Sequence, residues 1–126
     1  MTPTARAIGD SWEEAAAQFL ADQGLQIIAR HYACRLGEID LIAADGETVV
    51  FVEVRYRACG GWGGAAASVT RTKQLRIVRA ARHFIMRNTE FSQCPMRMDV
   101  VAIQGDADAE HRTPRMQWIR NAFEAA

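Results

Sequence analysis

The stretch GEIDLIAADGETVVFVEVRYR (37–57) decides the fold of this chain, because it contains two strand-like runs and the turn that joins them. The runs LGEIDLIAA (36–44) and TVVFVEVRY (48–56) are rich in the apolar and β-branched residues that strands favour. Asp45-Gly46, which lies between them, is one of the strongest hairpin signals. The sequence therefore predicts an antiparallel β-hairpin.

The register of the hairpin follows from its turn. A two-residue turn at Asp45-Gly46 pairs Ala44 with Glu47, and this first pair fixes all the others. The predicted opposite pairs are then Glu38–Glu53, Asp40–Phe51 and Leu36–Arg55.

Side chains on a strand alternate between two faces, so this register divides the hairpin into an apolar face and a mixed face. The apolar face contains Ile39, Leu41, Ala43, Val50, Val52 and Val54. The mixed face has its charged residues at one end, where they are Glu38, Asp40, Glu53 and Arg55. A slip by one residue would bury the acids in the apolar layer, so the pattern itself favours this arrangement.

Three carboxylates close together on one sheet face repel each other unless a cation lies between them. Hard oxygen ligands suit Mg²⁺ or Mn²⁺, so the sequence predicts a metal site. The alternative is a group of solvated acids with a surface ion pair between Glu53 and Arg55, and for Glu38 taken alone we prefer that alternative. Asp40 and Glu53 each have two apolar neighbours in the chain, which favours a functional role for both.

Helices and further strands precede and follow the hairpin. A first helix is predicted over 11–22, with Ser11 and Glu14 as a capping box and Gly24 as its C-terminal stop. The other predicted elements are a strand over 25–33, a helix over 70–88, a strand over 96–103 and a short last strand over 116–120. The order α-β-β-β-α-β-(β) predicts an α/β fold with a mixed central sheet flanked by helices.

Size and composition are typical of a soluble globular protein, with 49% hydrophobic and 24% charged residues. The length of 126 residues fits a single domain over 1–126. No apolar run is long enough to span a membrane, and the first residues lack the apolar segment of a secretion signal. The three cysteines are odd in number and widely spaced, which favours reduced thiols and a cytoplasmic location over disulfides or a zinc site.

Charge is distributed unevenly along the chain, although the net charge is zero. Residues 1–53 contain nine acids and three bases, whereas residues 54–89 contain eight bases and no acid. This asymmetry indicates an anionic partner for the middle segment. A basic stripe in the predicted second helix is either a solvated face or a surface for a nucleic-acid backbone. Its members are Arg76, Arg79, His83 and Arg87.

The hairpin sequence resembles a known bacterial family. GEIDLIA (37–43) and VFVEVRYR (50–57) look like the hallmark of the YraN family, the uncharacterised bacterial family 0102, and the similarity extends to RMDVVAI (97–103) and WIRNAF (118–123). That family is similar in turn to the PD-(D/E)XK nucleases, which include archaeal Holliday junction resolvases. The resemblance implies a restriction-endonuclease-like fold, hydrolysis of phosphodiesters in DNA with Mg²⁺ or Mn²⁺, and a homodimer.

The resemblance also implies roles for single residues. Asp40 matches the metal-binding acid and Glu53 the acid of the E-x-K element, whose lysine position is occupied here by Arg55. Arginine stays protonated and cannot act as a base, so Arg55 would stabilise charge in the transition state. Glu13 matches a helix acid that helps to complete the metal site, although an exposed first-turn acid is an equal alternative.

Two further residues have open interpretations. Lys73, the only lysine, is either a substitute for the missing motif lysine or a solvated charge at a helix end, and we prefer the second. Asp99 is expected to pair with an arginine or with backbone groups. The predicted site residues are Asp40, Glu53 and Arg55 for catalysis, Asp40, Glu53, Glu13 and Glu38 for the metal, and Lys73, Arg76, Arg79 and Arg57 for nucleic acid.

The sequence thus predicts a nuclease-like protein that binds DNA and hydrolyses it with a divalent cation. The alternative is a nuclease fold that has lost turnover, as Arg55 suggests, and that serves as a binding module for nucleic acid or for a protein.

Overall fold

The chain forms two α-helices and five strands in the computed structural model, which describes residues 5–57, 68–104 and 115–125, with the backbone alone for 5–10 and 57. The helices are α1 (Ala5–Asp22) and α2 (Arg71–Arg87), and a 3₁₀ turn follows at Thr89–Phe91. The strands are β1 (Gln26–Cys34), β2 (Gly37–Asp45), β3 (Thr48–Arg57), β4 (Met96–Gln104) and β5 (Arg115–Phe123).

The five strands form one mixed sheet in the order β1-β2-β3-β4-β5. Neighbouring strands are antiparallel except β3 and β4, which run parallel and are joined by a crossover that contains α2. The predicted α/β class and the predicted order of elements, including the last strand, are therefore confirmed. None of the described helices is long and apolar enough to cross a lipid bilayer.

Helix α1 begins earlier than predicted and ends where predicted. The predicted capping box of Ser11 and Glu14 is wrong, because the preceding segment, with two alanines and an arginine, continues the helix. At the other end Gly24 has a φ of +99°, which residues with a side chain rarely adopt. The N–H of Leu25 donates to the Leu20 carbonyl at 3.0 Å, as in a Schellman C-cap.

The hairpin of β2 and β3 forms with a register two residues away from the predicted one. Ala44 lies opposite Val49 instead of Glu47, because the turn residues are Gly46 and Glu47. Gly46 takes the first central position with a φ of +60°, where a type II′ turn requires glycine. The predicted pairs Glu38–Glu53, Asp40–Phe51 and Leu36–Arg55 are therefore wrong.

A shift of two residues leaves each side chain of the paired segments, 41–45 and 48–52, on its predicted face. The observed ladder runs from Asp45–Thr48 through Ile42–Phe51 to Leu41–Val52. Continued by one residue, this register brings Asp40 beside Glu53.

The sheet has a core on each face, one under each helix. The α2-side core contains Ile42, Val49 and Phe51 from the hairpin, with Ile77, Val78, Ala81 and Phe84 from α2. The α1-side core contains Leu41, Ala43, Val50 and Val52 from the hairpin, with Ala16, Ala17 and Leu20 from α1. The alternation predicted for the hairpin is confirmed for these residues.

The alternation breaks at Asp40, which corrects the predicted position of Ile39. Ile39 belongs to the α2-side core, whereas Leu41 belongs to the α1-side core. Along the described strands β1 and β2, the ladder skips His31 and Asp40, and His31 has a φ of 53°. A non-glycine residue in this left-handed region turns the chain out of its regular pleat, so a strict period of two fails here.

Helix α2 packs closely on the turn between β1 and β2. Thr70 caps the helix, since its Oγ1 accepts a hydrogen bond from the N–H of Lys73 at 3.2 Å. A Cβ added to Gly37 would lie 2.3 Å from the carbonyl oxygen of Arg76, so only glycine permits this approach. These two contacts bring the first turn of α2 to the acidic end of the hairpin.

Asp99 anchors the other side of the sheet and is fully buried. Its carboxylate accepts hydrogen bonds from Arg97 Nε at 2.9 Å, Trp118 Nε1 at 2.8 Å and the Asn121 N–H at 2.9 Å. Arg97 also donates to Asp45 at 3.0 Å, and the hydrogen bond with Asp99 raises the pKa of Arg97. The expected structural pairing of Asp99 is confirmed.

Candidate functional site

Two carboxylates lie where β2 and β3 stop pairing. The last paired residues are Leu41 and Val52, and the next residue on each strand is an acid, Asp40 or Glu53. Asp40 Oδ2 accepts a hydrogen bond from the N–H of Val54 at 2.8 Å, which ties its side chain to the neighbouring strand. The shift of the register by two residues thus brings the two acids closer than the sequence predicted.

Burial and mutual repulsion disfavour the charged form of both acids. Burial raises the pKa of Asp40, although its hydrogen bond with Val54 acts in the opposite direction. Burial first, and the nearby Asp40 second, raise the pKa of Glu53 to about 7. Buried acids that perturb one another in this way are candidates for a functional site.

Glu13 reaches the same cluster from α1. Its carboxyl group hydrogen-bonds to Asp40, which lowers the pKa of Asp40. Glu13 Oε2 also lies 2.7 Å from His31 Nε2, and the Glu13 side chain is only 18% exposed. The alternative of an exposed first-turn acid is therefore wrong.

His31 is a site neighbour that sequence reasoning missed. No pattern in the sequence links it to Glu13 or to the acids of the hairpin. Its unusual φ, which is also invisible in the sequence, is part of the irregularity that brings it to the acid cluster.

Lys73 lies against the acids, which corrects its preferred interpretation as a solvated helix-end charge. Its Nζ is 3.9 Å from Glu53 Oε1 and 3.9 Å from Glu38 Oε1, and its side chain is 28% exposed. The charge of Lys73 lowers the pKa of Glu53, although burial outweighs it. An ammonium group therefore lies beside Glu53, as a substitute for the motif lysine requires.

Arg55 is directed partly away from the cluster. Its Nη2 donates to the Ser68 carbonyl at 3.4 Å, and its Nε lies 3.9 Å from Glu53 Oε1. That Nε is buried and makes no hydrogen bond within the described residues. Arg55 thus supplies positive charge next to Glu53 without closing a tight ion pair.

The cluster offers a divalent cation few protein ligands. No three His, Cys, Asp or Glu side chains in the described part of the chain are grouped to hold a metal ion, and Glu38 is 65% exposed. Mg²⁺, however, is usually bound through one or two carboxylates, with water and substrate phosphate as its other ligands. The paired Asp40 and Glu53, whose charges lack full compensation, fit that minimal set.

The predicted nucleic-acid residues fall into three groups. Lys73 belongs to the acid cluster, as described above. Arg76 and Arg79 are exposed on α2 and follow Lys73 along the helix, away from its N-terminus. Arg57 ends β3, but its side chain lies outside the described residues.

Known sequences related to this chain cover most of its length. The model for "Uncharacterised protein family UPF0102" matches residues 12–103. A UPF0102 protein from Aeromonas hydrophila is 50% identical over 123 residues, which are 96% of this chain and 88% of that protein. A UPF0102 protein from Stutzerimonas stutzeri is 46% identical over 117 residues, which are 93% of this chain and 94% of that protein.

Proposed function

This chain belongs to the uncharacterised protein family UPF0102, as its sequence resemblance predicted, and we propose that it hydrolyses phosphodiester bonds of DNA with a divalent cation. The observation that supports this most directly is the adjacency of Asp40 and Glu53, with Lys73 Nζ 3.9 Å from Glu53. Two acids and one lysine on the edge of a basic helix suit the cleavage of a phosphate backbone.

Asp40 and Glu53 would hold the cation, with Glu13 as an auxiliary ligand from α1 and Glu38 as an outer, exposed acid. Bound there, Mg²⁺ or Mn²⁺ would polarise the phosphodiester and lower the pKa of an attacking water. The hydrogen bond from Val54 holds Asp40 in one orientation, which fixes where a ligand of its other oxygen would lie.

Lys73 takes the chemical role that the E-x-K pattern assigns to its lysine. Its Nζ favours the ionised form of Glu53, and it can orient a water against the phosphate. Arg55 cannot release its proton, but its guanidinium, whose Nε is buried, can stabilise the charge that develops on the phosphate oxygens. The two basic groups thus divide between them what one motif lysine would do.

The exposed cations of α2 supply binding to the DNA backbone. Arg76 and Arg79 follow Lys73 along the helix, and the helix contains no acid to oppose them. Phosphate contacts of this kind do not depend on base sequence, and they weaken as salt rises. Arg57, on the strand that also contains Glu53, is a further candidate for these contacts on the grounds of the sequence alone.

A cleavage assay on linear and branched DNA tests this function, with Mg²⁺ or Mn²⁺ compared with chelator. Asp40→Asn and Glu53→Gln should abolish cutting, and Lys73→Ala should slow it about a hundredfold. Glu47→Gln is the matched control, since Glu47 is an exposed acid at the far end of the same hairpin. Cutting that survives both acid substitutions would come from a contaminant and would refute the proposal.

A second candidate function is binding without turnover, which the presence of Arg55 at the lysine position favours. In that case the protein binds DNA with an affinity that falls steeply as salt rises, and it cuts no substrate with either cation. Arg55→Lys separates the two functions. An active nuclease that lacks an optimal base gains turnover from this change, whereas a binding module gains none.

Location and assembly complete the proposal. A cytoplasmic location is supported by Cys34 and Cys94, which are free thiols of the kind that a reducing compartment preserves. A homodimer would follow the resolvase-like nucleases that the sequence resembles, and light scattering of the purified protein measures it directly.

A further inference from the structure

Two exposed apolar side chains line one cavity at the outer surface of α2. Within the described residues, the exposed large hydrophobic side chains are Leu36, Tyr56 and Met86. Tyr56 already has an aromatic partner, because it stacks on Trp12 with 4.3 Å between ring centroids. Leu36 and Met86, which are 51% and 73% exposed, instead line one shallow cavity of about 160 Å³.

The surface of this cavity is almost wholly apolar, and the side chains that complete it include two arginines. Arg79, Arg82 and His83 complete its lining, and Arg82 and Met86 also line a second cavity of about 500 Å³. Residues 76, 79, 83 and 86 recur at spacings of three and four, so they share one face of the helix. An apolar cavity bordered by two arginines suits a ligand that combines a flat apolar group with negative charge.

Part of the wall is held in place by other elements. The hydroxyl of Tyr32, on β1, is hydrogen-bonded to His83 Nδ1. Arg82 Nη2 donates to the carbonyl of Ala125 at 2.9 Å, so the guanidinium is tied to the segment after β5. The side chains of Arg82 and His83 are thus held in place before any ligand binds, which lowers the entropy cost of binding.

The cavity and the acid cluster lie on neighbouring parts of the β1–β2 turn and of α2. Gly37 packs on the Arg76 carbonyl, Leu36 precedes it in the turn, and Glu38, which follows it, contacts Lys73. Along α2, Arg79 lies about 9 Å from Lys73 at the helical rise of about 1.5 Å per residue. A polyanion that touches Lys73 can therefore continue over the helix to the cavity.

We propose that this cavity, between Leu36 and Met86, receives an unpaired base of the nucleic acid whose phosphates contact α2. The inference rests on the proposed function and makes it more specific, since the substrate then contains a single-stranded segment next to the cut site. Bases within a duplex are stacked and paired, and they cannot enter a lateral cavity without being unstacked. An unpaired base offers its face to apolar side chains and to a guanidinium plane.

Binding measured without cleavage tests the proposal. In chelator, fluorescence anisotropy compares a labelled single strand with the same strand annealed to its complement. The wild type should prefer the single strand, and Leu36→Ala combined with Met86→Ala should weaken that complex about five- to tenfold. Duplex binding should not change. Gln18→Ala, an exposed substitution on α1, is the control that alters neither affinity.

An abasic scan identifies the base that enters the cavity. Single strands with one abasic position each are bound to the wild type and to the double variant. An abasic site at one position should weaken binding to the wild type and have no further effect on binding to the variant. The missing base and the missing side chains remove the same contact, one from the strand and the other from the protein. Equal affinity of wild type and variant for every strand overturns the proposal.

A protein ligand is the competing occupant, and the same titration detects it. A short acidic peptide with one leucine serves as the probe. The proposal is overturned if the double variant binds this peptide more weakly than the wild type does but binds single strands equally well. Failure of the enzymatic function looks different. If the strand binds through the cavity but is never cut with Mg²⁺ or Mn²⁺, the cavity inference stands and the hydrolytic function falls.

Discussion

The carboxylate of Asp40 accepts a hydrogen bond from the backbone N–H of Val54, with 2.8 Å between Oδ2 and N. Backbone pairing of β2 with β3 ends just before, at Leu41 and Val52, so a side chain takes over the role of a strand carbonyl. Asp40 thereby contributes to the hairpin and to the acid cluster, and different substitutions separate the two contributions.

Asp40→Ala should destabilise the protein by about 1–3 kcal/mol relative to Asp40→Asn. The alanine leaves the N–H of Val54 without its acceptor, whereas the amide oxygen of asparagine can still accept. Urea unfolding in chelator measures the difference. Equal midpoints for the two variants would show that the hydrogen bond contributes nothing to stability.

Stability of the metal-free protein should fall as pH rises from about 5 to about 8. Burial raises the pKa of Glu53 from 4.5 to about 7, so the folded state binds its proton more tightly than the unfolded chain does. The favourable contribution is present at low pH and is lost as pH passes through 7, at a cost of about 3 kcal/mol at most. Glu53→Gln should remove this part of the slope in urea unfolding series, and Glu47→Gln should retain it.

Mg²⁺ or Mn²⁺ should raise the midpoint of thermal unfolding. A ligand that binds only the folded state stabilises it by about 2.7 kcal/mol at a hundred times its Kd. The rise should disappear in Asp40→Asn and in Glu53→Gln, whose acids lie at the pairing end of the hairpin. A rise of the same size in both variants would locate the cation elsewhere.

Asp99→Asn should be the most destabilising of the single changes, at about 3–5 kcal/mol. The substitution leaves the guanidinium of Arg97 without its buried carboxylate. Asp45→Asn removes the other partner of Arg97, but Asp45 is 38% exposed, so about 1 kcal/mol or less is expected. Guanidinium unfolding of the two variants provides the comparison, and similar losses would contradict it.

Gly37→Ala should cost about 1–3 kcal/mol, because its Cβ would lie 2.3 Å from a carbonyl oxygen that belongs to a helix backbone. Either the turn or α2 must then move, and Lys73 moves with α2. Cleavage should therefore fall by more than the loss of folded protein explains. Normal stability in thermal unfolding would mean that the helix and the turn separate without strain.

Much of the fold follows from local patterns. The alternation in β2 and β3, the stop at Gly24 and the amphipathic second helix each have a short-range cause, and each was predicted within a few residues. The hairpin register was not, because Asp45-Gly46 and Gly46-Glu47 are both acceptable turn centres and only the packed sheet selects between them. The start of α1 was missed because a capping-box pattern inside a helix has the same sequence as one at the N-terminus of a helix.

The candidate site was less accessible to sequence reasoning than the fold. Asp40 and Glu53 were predicted to lie close together, and they do, since each is the next residue after the last pair of the hairpin. The approach of Lys73 depends on the close contact between Gly37 and α2, which no local pattern encodes. The contact of His31 with Glu13 depends on a positive φ, and residues other than glycine give little warning of one.

The parallel pairing of β3 with β4 has a consequence for how the protein is made. The β2–β3 hairpin is local and can form in roughly 1–10 μs, whereas β3 and β4 meet only after the crossover through α2 has closed. During synthesis the acids of the hairpin therefore come together first, and their cationic neighbour on α2 docks later. The slow step of folding is then also the step that assembles the site, so a nascent chain carries the acids but no competent centre.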